Sequence, residues 1–212
     1  MKVTKIETQK RNKEKVNIYV DNKYLFSLTL NGLLASHLKE GSEITDSQIE
    51  ELKIEDEPKL AFQHALNIIS YSMKTEFELV KKLREKEFSE PAIEQAVQKL
   101  KGYKYIDDDI YVTMYIKTKA IPNNWGEQKI ISKLLQKGVD INLIKQKIEE
   151  LYSYDEKKNA ITKVAEKYVE KLPIDEDILK KKQKLYRYLA GKGYSYELIS
   201  STVSSILGNN EK

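Results

Sequence analysis

The stretch Lys133–Leu151, KLLQKGVDINLIKQKIEEL, decides the fold. It reads as a helix, a Lys-Gly stop and a second helix, because apolar residues recur at helical spacing on both sides of Gly138. Those residues are Leu134, Val139, Ile144, Ile148 and Leu151. The same five positions stand 51 residues upstream as Leu83, Phe88, Ile93, Val97 and Leu100, and 55 residues downstream as Leu189, Tyr194, Ile199, Val203 and Ile206. Three gapless copies define an internal repeat, whose period of roughly 50 residues is at the long end for helical arrays.

Outward from that stretch, each copy reads as three helices. In the first, Ala61, Ala65, Leu66 and Ile69 share a helix face. Thr75 with Glu78 forms a capping-box pattern, and Ser89 with Pro91 opens the third helix. The second copy starts near Asp107, with helices expected over 109–119, 125–137 and 140–152. Gly138 is its left-handed stop and Asp140 the next cap. The third has helices expected over 156–171, 175–191 and 196–207, with Gly193 at the stop. No single copy buries its apolar faces alone, so neighbours are expected to stack into an elongated, curved array.

Ahead of the repeats the periodicity changes to two. Val3 to Glu7, Val16 to Val20 and Tyr24 to Ser27 alternate apolar and polar residues, with a polar stretch at 9–15 and an Asp21-Asn22 turn. A three-stranded antiparallel sheet follows, and it needs a cover. Leu30, Leu33, Leu34 and Leu38 are expected to supply it from a short helix ended near Gly41. Thr45 to Leu52 reads as another short helix, and Glu55-Asp56-Glu57-Pro58 as a boundary. The fold class is therefore mainly α: three tandem three-helix repeats behind a small N-terminal β-sheet with short helices. The expected segments are 1–57, 58–106, 107–154 and 155–212.

Composition narrows the function. The 212 residues are 40% hydrophobic and 33% charged, enough for one or two compact domains. There is no Cys, which removes disulfides and thiolate chemistry. No apolar run reaches the ~18 residues of a membrane span, and MKVTKIETQK lacks the apolar core of a signal peptide. A cytoplasmic protein is the expectation. Residues 1–57 carry 9 Lys/Arg against 11 Asp/Glu, a net of −2, whereas residues 58–212 carry 28 against 22, a net of +6. The repeats hold the positive excess, which suits a nucleic-acid surface or an acidic protein.

Catalytic and cofactor patterns are lacking. Asp107-Asp108-Asp109 precedes an apolar helix, where acids cap the end and complement its dipole. His37 and His64, the two histidines, each lie beside apolar helix residues with no nucleophile pattern. The glycines form no phosphate loop. No enzyme activity, metal or cofactor is expected. The basic residues carry more information. Lys81, Lys82 and Arg84 flank Leu83. Lys129, Lys133 and Lys137 fall at i, i+4, i+8, expected on one exposed helix face. Lys180, Lys181, Lys182, Lys184 and Arg187 lead into Leu189, with Tyr186, Tyr188 and Tyr194 interleaved. Such faces could track a phosphate backbone; equally, they could be solvated helix faces with Tyr packed between repeats. With Lys74 and Lys192 added, Lys74, Lys81, Lys82, Arg84, Lys129, Lys133, Lys137, Lys181, Lys184, Arg187 and Lys192 are the candidate binding residues.

Four stretches, in order, resemble the RecX family of bacterial RecA regulators. They are Ile69-Ser70-Tyr71 through Lys74-Thr75 to Glu78-Leu79, Tyr105-Ile106-Asp107-Asp108, Gly126 through Ile130 and Leu134 to Lys137-Gly138-Val139, and Lys184 to Leu189 with Gly193-Tyr194-Ser195. The strand-rich N-terminus resembles the extension on low-GC Gram-positive members. Ser72 and Lys74 stand where the family often has Arg, and Glu87 where it usually has Gly. A weaker first-repeat contact is implied, since Lys lacks the bidentate fork of Arg. The resemblance implies a non-enzymatic regulator that binds the RecA filament; a monomer is expected, with single- or double-stranded DNA as a candidate further contact. It would limit recombination and coprotease activity in DNA repair and the SOS response. A direct DNA-binding protein without a recombinase partner, and a helical scaffold for some other partner, are the alternatives.

Overall fold

The computed structural model describes residues 1–10 and 13–208; Arg11 and Asn12 of the polar connection, and residues 209–212, lie outside the described residues. The chain is mainly α-helical behind a three-stranded antiparallel sheet, and it divides into two compact units, Met1–Ile106 and Asp107–Lys212.

In the first unit the sheet runs β1 (Val3–Thr8), β2 (Lys15–Val20), β3 (Lys23–Thr29), in that spatial order. Asp21 and Asn22 both adopt positive φ (47° and 63°), as a two-residue hairpin turn matched to strand twist requires. The outer edge of β1 is occupied: Val3 N–H donates to Ser42 O (2.9 Å) and Gly41 N–H to Val3 O (2.7 Å). Val16, Ile18, Val20, Phe26 and Leu28 form the inner face and pack with Ile44 and Ile49.

Two expectations are corrected here. The helix α1 (Leu30–Ser36) does not cover the sheet with all its leucines. Leu33 and Leu38 pack against the sheet core, but Leu30 and Leu34 are 43% and 71% exposed. The rest of the cover comes from Ile49 and Leu52 of α2, which removes the need for the other two leucines. Nor does a helix break at Pro58: α2 runs unbroken over Asp46–Tyr71 with Pro58 inside it. An interior proline deletes one helical hydrogen bond. Continuity wins because α2 serves two cores, with Ile49 under the sheet and Leu60, Ala61 and Ala65 in the first repeat. The buried Asp56 fixes the register between them by accepting the backbone N–H and the hydroxyl of Thr29. A Cβ on Gly32 would stand 2.3 Å from that carboxylate, so the site requires glycine.

The first repeat adds α3 (Glu76–Arg84) and α4 (Glu90–Gly102). Thr75 opens α3 with a complete capping box to Glu78. In the second unit α5 (Asp108–Tyr115) runs into a π-helical turn (Ile116–Ala120), followed by α6 (Glu127–Leu135) and α7 (Ile141–Leu151). Asp107 caps α5, accepting from Asp109 N–H (2.9 Å) and Ile110 N–H (3.2 Å). The third repeat is α8 (Tyr154–Val169), α9 (Ile178–Gly191) and α10 (Tyr196–Leu207). Three helices are shorter than expected: α6 starts at Glu127 and stops before Lys137, α7 is bounded by Ile141 and Leu151, and α9 starts at Ile178, not 175.

The repeat pattern is visible as burial. Leu83, Leu134 and Leu189 are each 0% exposed, and Phe88, Val139 and Tyr194 lie buried in the same three cores. Identical stops make this geometry. Phe88 N–H donates to Leu83 O (3.4 Å), Val139 to Leu134 (3.2 Å) and Tyr194 to Leu189 (3.4 Å). Each is the outer bond of a Schellman turn, and the residue before it is left-handed. That residue is Gly138 (φ 75°), Gly193 (φ 88°) and, in the first repeat, Glu87 (φ 62°). At this stop only the first copy places a side chain where L-residues are disfavoured.

Glu87→Gly is therefore expected to stabilise the first unit by about 1 kcal/mol, measured as a raised urea midpoint at unchanged slope. Leu134→Ala, a truncation in a closed core, is expected to cost about 2–5 kcal/mol. A loss near zero in denaturant unfolding would contradict the burial described above.

Candidate functional site

The second and third repeats meet at a joint made of backbone. Gly126 N–H donates to Lys192 O (2.9 Å) and Gln128 N–H to Gly193 O (3.0 Å). The unsatisfied N–H groups at the start of α6 thus cap carbonyls at the end of α9, and the opposed ends of the two helix dipoles meet. The approach is close enough to exclude side chains. A Cβ on Gly126 would lie 2.2 Å from Gly193 O, and one on Gly193 would lie 2.4 Å from Lys129 N.

Beside the joint lie two buried tyrosines, Tyr152 (1% exposed) and Tyr194 (5%). The Tyr194 hydroxyl donates to Asn124 O (2.8 Å). The Tyr152 hydroxyl completes no hydrogen bond with any described residue. Burial pushes the Tyr152 phenol up to about 12, a rise opposed by the adjacent Tyr194 hydroxyl. Burial raises Tyr194 as well. Lys157 of α8 pairs with Glu127 at the start of α6.

Cations and rings flank the joint on both sides. On the second-repeat side Tyr111 stacks near Tyr115 (6.2 Å between centroids), Tyr115 touches Trp125 (6.3 Å), and Lys129 lies over Trp125 (5.0 Å). Lys137 lies over Tyr111 (5.5 Å). On the third-repeat side Lys192 lies over Tyr188 (5.6 Å), which stacks on Tyr168 (4.1 Å). Because Gly193 touches Lys129, the two sets meet. Ammonium groups are attracted to ring faces in this way, so the joint carries lysines seated on aromatic side chains.

The structure sorts the sequence candidates. Lys129, Lys133 and Lys137 do not form one exposed helical stripe, which corrects that expectation. Lys133 is exposed, but Lys129 and Lys137 are half-buried on their rings, and Lys137 sits in the turn beyond α6. Arg187 is exposed, whereas Lys181 donates to Ile174 O (2.8 Å) and Lys184 pairs with Glu176, so both tether the loop before α9. Lys192 belongs to the joint. In the first unit Lys81 and Lys82 are exposed at the end of α3, and Lys74 contacts the Ser72 hydroxyl. Arg84 forms a bidentate pair with Glu90 (2.7 and 2.8 Å), which holds the Glu90 carboxyl low and the guanidinium high. Sequence reasoning passed over Tyr111, Tyr115, Trp125 and Tyr168. The i, i+4 spacings Tyr111–Tyr115 and Trp125–Lys129 carried the signal.

Three three-helix units behind a small antiparallel sheet make this, by class, a helical-repeat protein. Residues 1–45 match the regulatory protein RecX N-terminal domain, 61–100 the first three-helix domain of RecX, and 155–203 its third three-helix domain. Regulatory protein RecX of Bacillus subtilis (strain 168) is 34% identical over 213 residues, covering 99% of this chain and 79% of its own. Its counterpart from Clostridium acetobutylicum is 36% identical, covering 98% and 97%. A crystal structure of regulatory protein RecX, 30% identical, covers 98% of both chains with a TM-score of 0.66. The chain belongs to the RecX family of regulatory proteins. Among the described residues, no helix is long and apolar enough to cross a membrane.

Two outcomes test the joint. Gly126→Ala is expected to lower the stability of the second unit by more than the few tenths of a kcal/mol of an ordinary surface change, because backbone must move to admit the methyl. Tyr152→Phe is expected to be neutral or stabilising by up to about 1 kcal/mol at pH 7, since it removes a buried hydroxyl that lacks a partner. Because burial penalises the ionised phenol and raises its folded pKa to about 12 from an ordinary 10, stability is unaffected by this group below pH 10 and falls as pH rises from 10 toward 12. Tyr152→Phe should flatten that alkaline decline in a pH series of unfolding midpoints.

Proposed function

We propose that this chain binds the filament of the RecA recombinase and lowers its recombination and coprotease activities without catalysing a reaction itself. Family membership along nearly the whole chain carries the reading, through the RecA regulation that the family resemblance implies. The joined surface around Lys129, Lys133, Arg187 and Lys192 supports it with a place for the contact. Its charges suit an acidic protein face or phosphates. The repeats carry related basic ends at Lys81–Lys82, Lys133 and Arg187–Lys192, each suited to a weak contact. Weak contacts linked in one chain gain from effective concentration when the partner is a polymer, so an assembled filament is bound in preference to free subunits.

Direct binding to DNA is the second reading, favoured by rings and lysines in contact, as in single-strand binding surfaces. The test is capture of the purified protein on RecA filaments, on free RecA and on bare single-stranded DNA, together with strand exchange. Preferential filament capture and inhibited strand exchange are expected; no inhibition at excess protein would refute the proposal. Lys133→Glu with Arg187→Glu should leave folding within about 0.5 kcal/mol of the parent. The pair should weaken filament capture. If both contact phosphates, the slope of log affinity against log salt should flatten by roughly 0.7–0.9 per lost contact. If they contact RecA protein, binding to bare DNA should not change.

A further inference from the structure

The N-terminal sheet has one open edge. The outer edge of β1 is closed by residues 41–44, but among the described residues no strand pairs beyond β3. Thr29 N–H reaches Asp56 and so points away from β2, whereas Leu30 N–H returns to Glu14 O (2.9 Å). Backbone direction alternates along a strand, so Ser27 shares the outward direction of Thr29. Its N–H and C=O meet no backbone partner on that side among the described residues. Tyr24 and Leu25, at the start of the same edge, are 57% and 39% exposed.

This edge borders a groove of about 820 Å³ and forms one wall of it, with α2 as floor and the turn Glu85–Phe88 as the opposite wall. The side chains around it are unequal. Asp56, Glu57, Glu85 and Glu87 line it against Lys15, Lys53 and Lys86. Lys15 lies over the Phe88 ring (4.7 Å) and Lys53 pairs with Glu50 (3.3 Å). Glu85 and Glu87 are exposed and make no ion pair among the described residues. Glu87 is also the left-handed residue for which the two sister turns use Gly138 and Gly193. A carboxylate is thus held at a position where glycine would fold better, and it lines the open groove. Residues 1–57 carry the opposite net charge to the repeats, −2 against +6.

We infer that the β3 edge of the first unit is a docking site for an extended, Lys- or Arg-rich segment of a partner protein, which adds a fourth strand to the sheet beside Ser27 while its cations face Glu85 and Glu87. Backbone hydrogen bonds supply affinity and the alternate side chains supply selection, as in other strand additions. This surface is separate from the joined basic surface of the second unit and stands whether or not RecA is the partner there.

The test uses the full chain, labelled with 15N, and two synthetic heptapeptides with blocked ends, KVKVKVK and EVEVEVE. The basic peptide is expected to shift the amides of Tyr24–Thr29 and Glu85–Phe88 saturably, and the acidic one to leave them unmoved. Methylating the backbone nitrogens on one edge of the basic peptide should abolish the shifts, because those N–H groups pair with β3. Glu87→Gly should weaken the basic peptide roughly two- to fivefold, the range of one exposed ion pair, while the fold becomes more stable, so weakened binding cannot be assigned to unfolding. Shifts confined to other residues, equal binding of the acidic peptide, or unchanged affinity in Glu87→Gly would each overturn the inference. So would the same shifts on concentrating the protein alone, which would make a second copy the occupant.

Discussion

Each repeat depends on one left-handed residue. The middle helix ends when this residue turns the chain back, and the next residue then falls beneath the helix it has just left. Phe88, Val139 and Tyr194 occupy that place, with N–H groups bonded to the carbonyls of Leu83, Leu134 and Leu189. Both partners of each bond are buried, so one turn closes the core and starts the third helix. The turn also positions the joint. Lys192 O and Gly193 O, which receive α6, belong to the third-repeat stop itself. A helix end that would otherwise leave carbonyls unpaired becomes the acceptor for the next helix start.

The proposed contact depends on which charges remain available after the fold has used the others. Arg84, Lys181, Lys184 and Lys157 are engaged in holding helices and loops together. Lys129, Lys137 and Lys192 rest on rings, and Lys133 and Arg187 are exposed. Exposed ion pairs contribute little stability, so the engaged residues matter chiefly for geometry. The available ones define the surface proposed to meet the filament.

Much of this was legible in the sequence because it is periodic. Helical spacing placed Leu83, Leu134 and Leu189 in cores, and alternation placed the three strands. The failures have separate physical causes. Pro58 reads locally as a helix start, and only the two cores sharing α2 keep the helix continuous. Leu30 and Leu34 look like a cover until Ile49 and Leu52 arrive from elsewhere in the chain. Gly126 reads as an isolated glycine because its neighbour, Gly193, is 67 residues away in the sequence. The lysine candidates were found by spacing, but spacing does not tell a free ammonium from one lying over Trp125 or paired with Glu176.

We propose that a RecA filament covers the surface of the second unit around the α6–α9 joint. Hydrogen exchange of the intact protein, with and without saturating RecA filament, tests it most directly. The account predicts added protection in Trp125–Lys137 and Tyr186–Gly193. Filament binding that leaves both segments exchanging as in the free protein would contradict it.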